Sequence, residues 1–141
     1  MRRERCSRAG RPPASDAVAT WLGDTGDRFV RFDSGVWTEL PTLAPTLSYM
    51  DPKPAVDAAG NMLVLGALAN DPQKIAVERF DAGANRWDPP VTLGTLTLQL
   101  GPQWIRMAPC GRAVAAWTEC QTPPSTSGLP HTCTNWVDMF E

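Results

Sequence analysis

VERFDAGANRW at 77–87 repeats the shape of VRFDSGVW at 30–37: an alternating run that closes on Phe and Asp, a short Gly-containing turn, then a Trp. Trp37 and Trp87 stand 50 residues apart, and each opens a Thr/Pro/Leu stretch, WTELPTL and WDPPVTL. Outward from these fragments, the apolar runs DAVATW (16–21), NMLVLG (61–66) and RAVAAW (112–117) begin 45 and 51 residues apart. Each is followed by an alternating segment: FVRFD at 29–33, IAVERFD at 75–81 and WVDMFE at 136–141. Val30, Val77 and Val137, with Phe32, Phe80 and Phe140, are read as the apolar positions of one recurring strand, half-buried and alternating with a period of two.

A further strand of each unit precedes a glycine turn, PKPAVDAAGN at 52–61 and PQWIRMAPCGR at 102–112. Gly60 and Gly111 are read as hairpin residues, because glycine takes a positive φ without a Cβ penalty. The 14 prolines leave no clean helical stripe of useful length. The fold class that follows is all-β. A strand repeat of about 50 residues points to a partial β-propeller of about two and a half four-stranded antiparallel blades. Residues 16–40 are expected to form a partial blade, 52–93 a full one and 102–141 another partial one, all within an incomplete propeller spanning 16–141. A closed propeller needs at least ~4 blades, so the remaining ones are expected from a longer chain or from homo-oligomerisation. The end at Glu141, in mid-blade, favours the longer chain.

Over residues 16–141 the chain resembles known propeller families. Phe80, Asp81 and Trp87 are similar to the aromatic and Trp pattern of kelch repeats, with LVLGAL at 63–68 where those repeats carry a double glycine; here Ala67 follows Gly66. Asp33-Ser34-Gly35 and Asp81-Ala82-Gly83 resemble degenerate Asp-boxes of sialidase-like propellers, although Arg31 and Arg79 stand where those carry Ser or Thr. GRAVAAW at 111–117 and ERFDAGANRW at 78–87 most resemble a loose class of secreted bacterial propeller proteins, often lipoproteins. The resemblance implies a fold and no common activity.

The first fifteen residues hold Arg2, Arg3, Arg5, Arg8 and Arg11 against Glu4, and are expected to be a disordered basic tail. The body keeps eight basic and fourteen acidic side chains, a net charge of −6. It offers no basic stripe for nucleic acid. The longest apolar run, MLVLGALA at 62–69, is too short for a transmembrane segment. No secretory signal is visible, and Cys6 lacks the small apolar residues of a lipobox before it.

Aligning the last repeat on the middle one shows an insertion of nine residues in its second hairpin, flanked by Cys120 and Cys133. These positions correspond to Ala69 and Gln73, on either side of the turn Asn70-Asp71-Pro72. Facing residues at a hairpin base come close enough for an S–S bond. A Cys120–Cys133 disulfide is the expectation, with unlinked thiols as the alternative, and it implies an oxidising compartment and an extracytoplasmic location. Cys6 and Cys110 are left open between free thiols, a mutual pair and pairing with other segments. Cys120, His131 and Cys133 lack a fourth ligand for a metal site. Asp24 and Asp27 in GDTGD read as a polar turn or, alternatively, a calcium ligand pair.

Trp37 and Trp87 recur at blade period and are assigned to packing, with Phe32, Gly60, Phe80, Gly111 and Phe140 as the other structural repeat positions. Trp104 and Arg106 break the repeat, since Lys53 and Ala55 occupy the equivalent positions. Two residues apart on the strand expected to line a central channel, they form a candidate platform for a sugar ring or acidic group; an edge Trp packed under an Arg stem is the alternative. No Gly-x-Ser-x-Gly elbow, phosphate loop, His-based triad or cofactor motif is present. Tyr49 is the sole tyrosine and the body arginines are scattered, which weighs against sialidase chemistry within this stretch. The expected function is a non-enzymatic binding module for a protein or glycan partner, with no cofactor and no metal. The alternative is part of a sialidase-like glycan-active enzyme whose catalytic residues lie outside this chain.

Overall fold

The computed structural model describes residues 15–23, 26–43, 49–121 and 132–140. The basic tail apart from Ser15, Asp24, and the loop residues 122–131 with His131 therefore lie outside the described residues. The chain is all-β, with antiparallel sheets. The first sheet pairs β1 (Ser15–Gly23), β2 (Gly26–Asp33) and β3 (Val36–Glu39) in that order. The second runs β4 (Tyr49–Val56), β5 (Met62–Leu68), β6 (Asp71–Asp81) and β7 (Arg86–Trp87), with β8 (Val91–Thr95) also paired to β6. The third orders β11 (Thr132–Phe140), β10 (Ala113–Gln121) and β9 (Gln99–Met107). The last strand of the second sheet is therefore two pieces rather than one. Asp88-Pro89-Pro90 separates them, because proline cannot donate to the ladder.

The second sheet lies between the other two. One core joins it to the first sheet through Phe29, Met62, Val64, Ala76 and Phe80. The other joins it to the third through Leu63, Leu65, Ile75, Val77, Ile105 and Trp117. Successive residues of a strand point to opposite faces, so the continuous apolar run of β5 supplies both cores and is buried at all seven positions. The expectation of a single apolar face on the following strand is corrected here. Val77 and Phe80 are three residues apart, face opposite ways, and are both buried.

One cross-strand register recurs in all three sheets. Thr20 stands opposite Phe29, Leu65 opposite Val77 and Ala116 opposite Val137. Likewise Ala17 faces Phe32, Met62 faces Phe80 and Ala113 faces Phe140. The counterpart of Val77 and Val137 in the first sheet is thus Phe29, not Val30. Between sheets, β1 lies beside β4, and β9 beside β4 and β5.

The β4–β5 and β9–β10 turns are built alike. Asp57 N donates to Asn61 O and Gly60 N to Asp57 O; Ala108 N donates to Arg112 O and Gly111 N to Ala108 O. Gly60 and Gly111 sit at φ 85° and 88°, the left-handed region that a Cβ makes costly. In the first turn the Asp57 carboxylate also accepts from Ala59 N, Asn61 N and Asn61 Nδ2, at 2.8 to 2.9 Å.

Candidate functional site

Trp104 and Arg106 share one face of β9, the face turned away from the second sheet. Across the third sheet they head two rows, Trp104–Ala116–Val137 and Arg106–Val114–Met139. The corresponding rows of the second sheet are Lys53–Leu65–Val77 and Ala55–Leu63–Arg79. Trp104 is 47% exposed, and Arg106 is exposed with Nη1 at 3.4 Å from Ile105 O. Val137 and Met139 are also exposed, so the outer face presents an indole and a guanidinium beside an apolar strip. The three sheets do not close, and this pair stands on an open face of the third. An exposed indole next to a cation suits stacking on a sugar ring or contact with an anionic group.

Cys120 and Cys133 are direct register partners and form a disulfide at the base of the long hairpin. Cys110, at the β9–β10 turn, is disulfide-bonded as well, whereas Cys6 lies outside the described residues. Beside the hairpin base, Glu119 is buried and its Oε2 accepts from Thr97 N and Thr97 Oγ1, at 3.0 and 3.1 Å. That pair of bonds satisfies a carboxylate which would otherwise be costly to bury. Among the described residues, no group of three His, Cys, Asp or Glu side chains is placed to hold a metal ion. No described helix is long and apolar enough to cross a membrane.

The structural repeat aromatics do not share one environment. Phe80 is fully buried and stands opposite Trp87, whose ring lies 5.1 Å from Phe29 and 5.3 Å from Phe80. The Trp87 Nε1 donates to Pro41 O at 2.6 Å. Phe32 pairs in the same way with Trp37 at 5.1 Å, but on the uncovered face of the first sheet, where Trp37 is 53% exposed. Phe140 is half-buried and stands opposite Ala113.

A second candidate site was not singled out by motif reading. Between the second and third sheets lies a cleft of about 480 Å³. Leu63, Val77 and Val91 form its wall on one side, Met107 and Phe140 on the other. Asp57, Asn61, Arg79 and Asp88 line its polar rim. Arg79 and Asp88 approach to 3.8 Å, a loose and partly exposed pair. No protein-family model and no curated protein sequence matches the chain.

Proposed function

We propose that the chain is an incomplete β-propeller acting as a non-enzymatic binding module in an oxidising, extracytoplasmic compartment, where Trp104 and Arg106 on β9, the strand of the third sheet nearest the axis, meet a protein or glycan partner. The observation that carries this reading is the register common to the three sheets. Leu65 and Val77 pack toward the third sheet, and their equivalents Ala116 and Val137 look outward from it. Ala113, Ala115 and Trp117 pack toward the second sheet, and their equivalents Ala17, Ala19 and Trp21 lie on the uncovered face of the first. Both halves of one inter-sheet contact are thus present and unused on the two flanks. This supports further sheets of the same kind, in a longer chain or from other copies, arranged about an axis near β1, β4 and β9. The Cys120–Cys133 disulfide supports the oxidising compartment.

On this reading Trp104 stacks on the ligand and Arg106 pairs with an acidic group of it. The test has two parts, both on the full chain under non-reducing conditions. Light scattering after size-exclusion chromatography gives a discrete dimer or trimer if the remaining blades come from other copies, and a monomer or aggregates if they belong to a longer chain; a glycan screen is expected to give binding that Trp104→Ala abolishes. Ligand binding that survives Trp104→Ala would overturn the site.

A further inference from the structure

We propose that Cys110 is bonded to Cys6, so that the N-terminal segment is strapped past the end of the second sheet to the third and braces the β9–β10 turn. The sequence holds four cysteines; Cys120 and Cys133 take each other, and Cys110 is disulfide-bonded as well. Cys6 is the cysteine that remains.

A comparison of the two glycine turns shows what such a bond does. Residue by residue, Asp57-Ala58-Ala59-Gly60-Asn61 matches Ala108-Pro109-Cys110-Gly111-Arg112, with the same backbone hydrogen bonds and a positive φ at each glycine. The first turn is braced from within, since the Asp57 carboxylate accepts from Ala59 N, Asn61 N and Asn61 Nδ2. Ala108 stands in the place of Asp57 and has no carboxylate to offer. Cys110 stands in the place of Ala59, exposed at the tip, where packing asks for no sulfur. A covalent tie at the tip supplies from outside the brace that Asp57 supplies from inside.

Register brings the partner within reach. Ala17, Met62 and Ala113 are equivalent, so the start of β1 lies at the same end of its sheet as the two turns do in theirs. Contacts join these ends in order: Arg31 Nη1 donates to Gly60 O, and Ala58 N donates to Pro109 O. Packed sheets lie about 10 Å apart, which puts Cys110 roughly 20 Å from the layer of β1. The chain from Cys6 to Ser15 extends to at most about 30 Å, enough to cross both spacings without unpairing β1. Bond formation joins the two sulfurs, releases both thiol protons and passes two electrons to a disulfide oxidant of the compartment, which leaves as a dithiol. The strap depends on the layer order, and on neither a closed ring nor the Trp104 site.

The test uses the full chain, purified without reductant, alkylated in denaturant, digested with trypsin and mapped by mass spectrometry. The expected product is Cys-Ser-Arg (6–8) linked to Met-Ala-Pro-Cys-Gly-Arg (107–112), while Cys120 and Cys133 stay together within 113–141. In Cys6→Ser the Cys110 thiol is expected to become alkylated, and amide exchange at Ala108 and Gly111 to speed up about tenfold or more while Gly60 is unchanged. Cys110→Ser is expected to give the same acceleration. Alkylation of Cys6 or Cys110 in the unaltered chain, a bond from either to Cys120 or Cys133, a mixed disulfide with a small thiol, or a dimer linked through Cys110 overturns the proposal. Exchange at Ala108 and Gly111 that is indifferent to Cys6→Ser overturns it as well.

Discussion

Val77 and Val137 hold the same place in their sheets, one opposite Leu65 and the other opposite Ala116, yet they are 4% and 67% exposed. Local sequence and register are alike, so the difference comes from the neighbour: the third sheet covers Val77, and no described sheet covers Val137. The same contrast holds for Phe80, fully buried against the first sheet, and Phe32, half-buried on a face without one. A side chain contributes its burial energy, roughly 1.5–3 kcal/mol for a large aliphatic or aromatic group, only where a second layer exists to receive it. The stability of this molecule is accordingly concentrated in the middle sheet.

The most severe test of that contrast truncates one residue at a covered position and one at an uncovered position. Phe80→Ala is expected to lower stability by about 3–5 kcal/mol in denaturant titration, whereas Val137→Ala should stay within about 0.5 kcal/mol wherever no further sheet covers it. Comparable losses would mean that the third sheet's outer face is buried in solution. Replacing both Cys120 and Cys133 by Ser comes next. Closure of a loop with a sequence separation of 13 suggests a loss of about 3 kcal/mol. Hydrogen exchange should place that loss in β10 and β11 while β5 and β6 keep their protection, because the third sheet has a neighbour on one face only.

Smaller effects sharpen the picture of the turns. Gly60→Ala and Gly111→Ala should each cost about 1–2 kcal/mol for a left-handed alanine, and similar values are expected because the two turns carry the same backbone bonds; thermal denaturation of the two variants checks this. The smallest effect concerns Asp81. Hydrogen bonds from the Ala84 and Gly83 amides hold its pKa below the ordinary 3.8, with the Ala84 bond the largest cause and Arg79 and Arg86 assisting. A carboxylate with a lowered folded-state pKa stabilises the fold above its unfolded value, and that contribution is lost as pH falls through the folded value. Asp81→Asn should therefore lower stability slightly at neutral pH and flatten the acid limb of the profile, the two proteins converging at low pH, as followed by acid titration of both.

Much of the fold could be read from residue pattern. NMLVLG, RAVAAW and DAVATW all fall on strands, β5 and β10 within their sheets and β1 at an edge, and only the run on β5 is covered on both faces. The Cys120–Cys133 bridge followed from an insertion that left two cysteines facing across a hairpin. The environment of each strand was less legible. A period-two reading assumes one buried face, and it misplaced Val30 as the partner of Val77 because it gave no weight to the opposite face, where Phe29 packs. Nor does a repeat say which copies have neighbours; Phe32, Phe80 and Phe140 look equivalent in sequence and differ in cover. Asp88-Pro89-Pro90 marked the break in the last strand, but resumption at Val91 depended on pairing with β6 at Lys74–Val77.

The turn at 57–61 touches both neighbouring sheets: Arg31 Nη1 donates to Gly60 O at 3.3 Å from the first, and Ala58 N donates to Pro109 O at 3.4 Å in the third. One short peptide loop is therefore a common bearing for two angular relationships. Lengthening or shortening it by a residue would reset the pitch on either side at once, so the spacing between successive layers of this molecule is a single adjustable quantity rather than two independent ones.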